Sequence, residues 1–430
     1  MAGIYSDDVL RNIEKEFKHL DGSTYLDHAG SALYSQSQIE RVMLELQSRF
    51  SLNPHTGEED RIDKTRKKVL EILAADQEEY SVVFNSGATS GLKTIGEYFP
   101  WDINSSFVVH AESHTSSVGI REYALDKGSK ILVWEDQDLE GILQNLDSGF
   151  KTETTRDVQN KQEEAKEGEE EEGTGEGVKR EGEEEEGDEH ENQKACNSKN
   201  LFCFPAMSNY NGFKFDLRWV EKIQENPRNL VLLDTSCFLS TNTIDLSKVK
   251  PDFLVLSFYK LFGYPTGLGA LIIKKSSTAL LKKVYFGGGT VDMHTVRENV
   301  HETRANIEER LEDGTIHFLG VQAVETGFLT IKNIIGEDFS LISAHTFALA
   351  QYTFNRLNRL VHWNGKPVVE IYSKTQYDDV NKQGGIINFN LKDSRGNYIG
   401  YSVFKRVAES ENVIVRTGCF CNTASAVPVT

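Results

Sequence analysis

The sequence predicts an α/β fold, a large domain on a mostly parallel sheet followed by a smaller α+β domain. Two observations point to the first domain and one to the second. Short apolar runs rich in strand formers recur at Ser81–Phe84, Ser106–Val109, Lys130–Val133, Leu230–Leu233, Phe253–Leu256 and Ala270–Ile273. Unbroken apolarity suits strands covered on both faces, as in parallel sheets. Stretches with helical amphipathic spacing accompany them, Ile39–Phe50 and Ile62–Leu73 ahead of the first run among them. Strands alternating with helices wind into a parallel sheet. After about Thr303 the pattern changes to a long helical stretch, Ile316–Ile335, then mixed segments around Gly385–Leu391 and Tyr401–Glu409. We therefore expect a large domain at 1–302, opening with an N-terminal segment at 1–30, and a small domain at 303–430. No internal repeat is visible.

One segment stands apart. Within an insertion at about 150–197, residues 151–195 hold 18 acidic and 7 basic side chains, so they carry −11 of the chain's net −19. With almost no apolar surface to offset its conformational entropy, this stretch should be disordered, either as an acidic interaction segment or as a tolerated surface insertion. It lowers the hydrophobic content, which is 38% over the whole chain, against ~45–50% in ordinary globular domains. The acidic balance argues against a nucleic-acid binder, which carries a basic footprint. No apolar run approaches the ~18–20 residues of a membrane span. The opening Met-Ala-Gly-Ile-Tyr-Ser-Asp-Asp lacks the basic and apolar parts of a secretory signal. Five cysteines in 430 residues make no disulfide framework, so a reducing, cytoplasmic setting is expected.

The chemistry concentrates beyond strand ends. Ser257-Phe258-Tyr259-Lys260 follows the run Phe253–Leu256 and precedes a glycine-rich turn, Gly263–Gly269. A lysine there is either an ordinary surface residue or an amine made nucleophilic by burial, suited to a Schiff base with an aldehyde cofactor. Asp234 follows Leu230–Leu233 directly, at a position where doubly wound sheets gather ligands. A carboxylate there can pair with a protonated pyridine nitrogen. Asn85-Ser86-Gly87-Ala88-Thr89-Ser90-Gly91 follows another strand and opens a helix, as a phosphate cradle or as a simple helix cap. His114, after a fourth strand, can stack on a ring, shuttle protons or cap a helix. Together these four point to pyridoxal 5′-phosphate.

The second centre is Arg416-Thr417-Gly418-Cys419-Phe420-Cys421-Asn422. A Cys-x-Cys pair can belong to a zinc site, but zinc needs four ligands, and Cys196, Cys203 and Cys237 are not spaced as a second pair. A reactive thiol beside Arg416, whose charge favours thiolate, is the better reading. Cys419 is also compatible with a buried structural thiol, and Cys237 with either pocket lining or core.

Assembled, these segments resemble the cysteine-desulfurase branch of the class-V aminotransferases, fold-type I pyridoxal-phosphate enzymes. They are more closely similar to the N-terminal desulfurase-like domain of the molybdenum cofactor sulfurase family. The likeness is carried by Tyr25-Leu26-Asp27-His28-Ala29-Gly30, Asn53-Pro54-His55, FNSGATSGLK, SFYKLFGYPTGLGAL and RTGCFCN. It implies that Lys260 forms the Schiff base, Asp234 faces the pyridine nitrogen, His114 stacks on the ring and Asn209 contacts the ring hydroxyl. Ala88, Thr89 and Ser257 would hold the phosphate, with Thr290 donated by the second protomer of a homodimer. Cys421, by its spacing from Arg416, would form the persulfide, with Arg416 and Cys419 in the same substrate loop.

The implied activity takes sulfur from L-cysteine onto Cys421, with Lys260 as general base and alanine released. The sulfur then passes to the molybdenum cofactor, replacing an oxo ligand, for xanthine dehydrogenase and aldehyde oxidase. The competing readings are another lyase or aminotransferase of this fold, and a non-catalytic form acting by dimerisation. Three departures accompany the resemblance. Tyr259 stands where many desulfurases have His, and Cys237 where many have Gln. After Asn422 the chain reads Thr423-Ala424-Ser425-Ala426 and ends at Thr430, where the family usually continues. The arginine that binds the substrate carboxylate and the C-terminal cofactor-binding domain would then fall past the end, which implies a shortened chain.

Overall fold

A computed structural model describes residues 4–48, 59–147 and 198–422. Asn53-Pro54-His55, Cys196, the acidic segment at 151–195 and the stretch after Asn422 lie outside the described residues.

After a short strand β1 (Thr24–Tyr25), seven strands make the central sheet: β2 (Tyr80–Asn85), β3 (Ser106–His110), β4 (Lys130–Trp134), β5 (Asn200–Pro205), β6 (Asn229–Asp234), β7 (Phe253–Ser257) and β8 (Gly269–Lys274). Their order is β2-β8-β7-β6-β5-β3-β4, and only β8 runs antiparallel to its neighbours. The reason is local. The connection from β7 to β8 is a one-turn helix, Tyr259–Phe262, and a glycine-rich turn, too short for a crossover helix. The six expected runs are all strands of this sheet, but β5 was not anticipated. Its sequence, Asn-Leu-Phe-Cys-Phe-Pro, directly follows the acidic segment, and its proline occupies the last position of the strand.

Six of the seven strands are buried on both faces, with successive side chains alternating between them, while the run at Lys130–Val133 forms an edge strand that is only partly covered, Val133 being 63% exposed. Phe84, Val108, Phe202, Phe204, Leu233 and Leu256 meet Val69 and Leu70 of the Glu59–Ile72 helix and Val321, Val324 and Phe328 of the Phe318–Ile335 helix. Val83, Val109, Leu201, Cys203, Leu232, Val255 and Leu271 meet Leu92 and Ile95 of the Ala88–Tyr98 helix. This two-sided cover is the arrangement that the unbroken apolar runs require. At one margin Glu312 clamps two elements. It takes paired bonds from Arg66 at 2.7 and 2.8 Å and a third from the backbone N–H of Phe84 at 2.7 Å.

Beyond the sheet lie a hairpin of β9 (Val291–His294) and β10 (His301–Thr303) and a three-stranded antiparallel sheet of β11 (Val369–Tyr372), β12 (Asn388–Lys392) and β13 (Tyr398–Ile399). A last strand, β14 (Val413–Ile414), pairs in parallel with β1. That pairing sets the Tyr25–Gly30 motif beside the Arg416–Asn422 segment. No helix among the described residues is long and apolar enough to cross a membrane.

Candidate active site

Because β2, β3, β5, β6 and β7 run the same way, their carboxyl ends open on one side of the sheet. A cleft of about 530 Å³ lies there. Ala88, Thr89, His114, Asn209, Asp234, Ser257 and Lys260 line it, with Cys237 and Tyr259. Seven residues nominated from the sequence thus meet in one place. Ser116, Met207 and Ser236 also line it, although nothing in their local sequence singled them out. Met207 and Asn209 arrive from the segment after β5, the strand that the apolar pattern did not reveal.

At the Asn85–Gly91 loop, helix Ala88–Tyr98 begins with Gly87 and has no side-chain cap. The N–H of Ala88 donates to Ser257 Oγ at 2.9 Å, and the Thr89 and Ser116 hydroxyls lie 2.9 Å apart. The buried Nδ2 of Asn85, at the foot of the loop, has no hydrogen-bond partner. A side chain at position 269 would put its Cβ 2.6 Å from the Gly87 Cα and 2.4 Å from the Leu256 carbonyl. Only glycine lets the loop pack this closely on β8. A helix start whose N-cap offers no side chain, ringed by the Thr89, Ser116 and Ser257 hydroxyls, suits a phosphate group.

On the opposite wall, Asp234 closes β6. Its Oδ1 accepts from the Ser236 N–H at 2.9 Å and hydroxyl at 2.6 Å, which fixes the carboxylate's orientation. His114 accepts the Ser116 N–H at its Nδ1, 3.1 Å away, so in the neutral ring Nε2 carries the proton. It therefore caps the Thr115–Val118 turn and also lines the cleft. Burial lowers its pKa below the ordinary histidine value; Asp234 pulls it back up, and Lys260 and Arg416 push it down. Lys260 is half-buried in the one-turn helix after β7, rather than buried as its place after an apolar strand suggested. Cys237 lines the cleft, and burial pushes its thiol up to about 11, so it stays protonated. Cys203, by contrast, is core, pushed up by burial to about 12.

The Arg416–Asn422 segment docks on the rim of this cleft. Asn209 donates from Nδ2 to the Phe420 carbonyl at 2.7 Å. Thr115, next to His114, donates its N–H and its hydroxyl to the Cys421 carbonyl, both at 2.8 Å. Cys419 and Cys421 are both exposed. This corrects the buried structural option for Cys419: its loop lies outside the core, held by backbone groups. Arg416 is exposed, and it converges with the Asp27 carboxylate over Gly30, whose Cα leaves room for both. Thr290 does not line the cleft; it is buried in its own chain, its hydroxyl donating to the Gly287 carbonyl at 2.8 Å.

A lysine amine, a fixed carboxylate, an imidazole and an uncapped helix start match the aldehyde, ring nitrogen, ring face and phosphate of pyridoxal phosphate. Comparison with known proteins agrees. Residues 181–429 match the family model described as aminotransferase class-V. The chain is 36% identical to the molybdenum cofactor sulfurase of Danio rerio, over 98% of this chain and 48% of that protein. It is 39% identical to that of Solanum lycopersicum, over 95% of this chain and 48% of that protein. The chain thus spans about half the length of the curated relatives it matches. Among solved structures it superposes on the Escherichia coli cysteine desulfurase CsdA with a TM-score of 0.72 at 16% identity, covering 98% of this chain and 90% of that one. For the Thermococcus onnurineus cysteine desulfurase the TM-score is 0.71 at 18% identity, with the same coverage. These likenesses establish a fold-type I architecture, homology to the class-V aminotransferase part of molybdenum cofactor sulfurases, and pyridoxal 5′-phosphate as the implied cofactor.

Proposed function

The chain belongs to the class-V aminotransferase family, and on that premise we propose that it moves sulfur from L-cysteine to Cys421. The observation that supports this reading is the docking of the Cys421 loop on the cleft rim through Asn209, itself a cleft residue. A cysteine in a loop anchored at the rim of the cleft fits the role of sulfur acceptor for a substrate bound inside.

In this reading each group has one task. Lys260 anchors the cofactor and afterwards moves a proton from the substrate Cα. Asp234, held by Ser236, keeps the ring nitrogen protonated. His114 covers the ring face as a neutral imidazole. The helix start at Ala88, with Thr89 and Ser257, holds the phosphate. Bound pyridoxal phosphate supplies an electron sink for charge developing at the substrate Cα. The Cys421 thiolate attacks the substrate sulfur, and the carbon–sulfur bond breaks with its electron pair remaining on carbon. That carbon takes up a proton and becomes the methyl group of alanine, while the new sulfur–sulfur bond leaves a persulfide on Cys421. Atoms and electrons balance without a further reagent.

Onward transfer to the molybdenum cofactor, for xanthine dehydrogenase and aldehyde oxidase, extends the proposal to an activity taken from relatives about twice as long. A cytoplasmic homodimer, in which Thr290 reaches the phosphate of the second protomer, belongs to the same reading. Release of alanine and sulfide from L-cysteine plus a reductant tests the core of it. Turnover in the wild type that disappears in Cys421→Ala is the expected result. Cofactor absorbance without wild-type turnover, or a Cys421→Ala variant as active as its parent, would overturn it.

A further inference from the structure

We propose that Asn422 is the positioning residue for Cys421, locking the cysteine loop to the segment that carries His114; this rests on the reading that Cys421 accepts the sulfur. Asn422 is fully buried at 0% exposure, although the cysteine before it is exposed. Its Nδ2 donates to the Glu112 carbonyl at 2.9 Å and to Asn209 Oδ1 at 3.1 Å. An amide nitrogen has two hydrogens, and both are used. Its backbone N–H donates to the Cys419 carbonyl at 2.9 Å, closing a tight turn over Phe420 and Cys421.

That turn is unfavourable by itself. Phe420 and Cys421 both have φ of +55°, a left-handed conformation that consecutive residues with side chains rarely hold. Such strain persists only where surrounding contacts over-determine it. The contacts here come from three separated parts of the chain: Glu112 and Thr115, Asn209, and Asn422. Glu112 and Thr115 bracket Ser113-His114, so the same clamp sets the cysteine loop and the imidazole relative to each other. Glu112 is in turn held from the far side, its carboxylate 2.5 Å from Lys374 Nζ and 3.3 Å from Asn211 Nδ2. Nothing but an amide satisfies position 422. An aspartate would set an acceptor against two acceptors, and an alanine would leave both unpaired.

The test compares the wild-type holoenzyme with Asn422→Ala and Asn422→Asp, the second matching the native side chain in size. In both variants kcat for L-cysteine should fall on the order of 10- to 100-fold, the range for a misplaced reacting group. KM and bound cofactor should stay within about threefold, because Asn422 touches neither cofactor nor substrate in this arrangement. Hydrogen–deuterium exchange supplies a second readout, with or without cofactor. The peptide covering Glu112–Val118 should exchange faster, since the Thr115 N–H loses its acceptor, while β6 and β7 stay protected. Wild-type kcat in both variants would overturn the proposal, as would a loss of rate accompanied by exchange throughout the central sheet. If the wild type forms no persulfide on Cys421, the sulfur-transfer reading fails by itself. The clamp then stands or falls on the exchange at Glu112–Val118 alone.

Discussion

Changing Glu312 to glutamine keeps the size of that side chain and removes its charge. The residue is 8% exposed, and its partner Arg66 is 14% exposed. Arg66 forms a paired interaction with both carboxylate oxygens and a further bond to the Val82 carbonyl, while its guanidinium sits 5.0 Å from the Phe84 ring centroid. The substitution therefore leaves the buried guanidinium with only the more exposed Asp63, 3.4 Å from its Nε, as a counter-charge, a loss that costs up to about 3–5 kcal/mol. Spread over roughly 360 described residues, with an unfolding entropy of ~2.1 cal/mol/K per residue, that is a fall in Tm of roughly 4–7 °C. A second effect follows from position. Glu312 also takes the Phe84 N–H, and Phe84 leads directly into the Asn85–Gly91 loop, so cofactor affinity should weaken as well. Thermal unfolding of the cofactor-free protein, followed by calorimetry, measures the first effect, and cofactor titration by absorbance the second. The double variant Arg66→Met/Glu312→Leu should recover part of the stability, because an apolar pair needs no counter-charge although it leaves the Phe84 N–H and the Val82 carbonyl without these partners. An unfolding temperature for Glu312→Gln within about 1 °C of the wild type would refute the reasoning, since it would mean that the charge was never confined.

Two further outcomes follow from titratable groups. In the cofactor-free protein Asp234→Asn should lower the His114 titration midpoint further, because burial depresses that pKa and the Asp234 charge partly restores it; an unchanged midpoint by NMR would show that the carboxylate does not influence the ring. Lys214 is buried, with its ammonium on Asn242, Ser343 and the Val380 carbonyl, and burial lowers its pKa from 10.5 to about 8 against an opposing pull from Asp379. Between those values the unfolded chain binds a proton that the folded one does not, so this group makes stability rise with pH across that window. Urea midpoints measured through it should show the rise in the wild type and a flatter profile in Lys214→Met; parallel profiles would contradict the assignment.

Much of the site was legible because its residues sit next to strands. Asp234 ends β6, Lys260 follows β7 by three residues, and the Asn85–Gly91 loop leaves β2. A strand can be read from a short apolar run, so the ends of those runs mark where a doubly wound sheet gathers its ligands. The unexpected strand β5 shows the limit of this approach. It lies among Asn, Cys and Pro, and with it went Met207 as a wall of the cleft. For His114 the geometry shows a ring that caps a turn and also lines the cleft, a double placement that its position after a strand did not reveal. The buried option for Cys419 failed because the residue stands in an exposed loop at the cleft rim, held there through the side chains of Asn209, Thr115 and Asn422.

By itself the sequence determined the α/β class, the two-sided burial of the central strands and the chemical types gathered at their ends. These follow from short-range regularities, the period of apolar residues and the glycines that turns demand. Tertiary structure alone decided the direction of β8, the return of β14 to β1, and the meeting of the cysteine loop with the cleft. The bonds that make that meeting span 211, 213 and 310 residues of chain. A side-chain amide reaching a backbone carbonyl leaves no periodic trace in a sequence. Such a contact exists only once the sheet has brought distant segments within about 3 Å of each other.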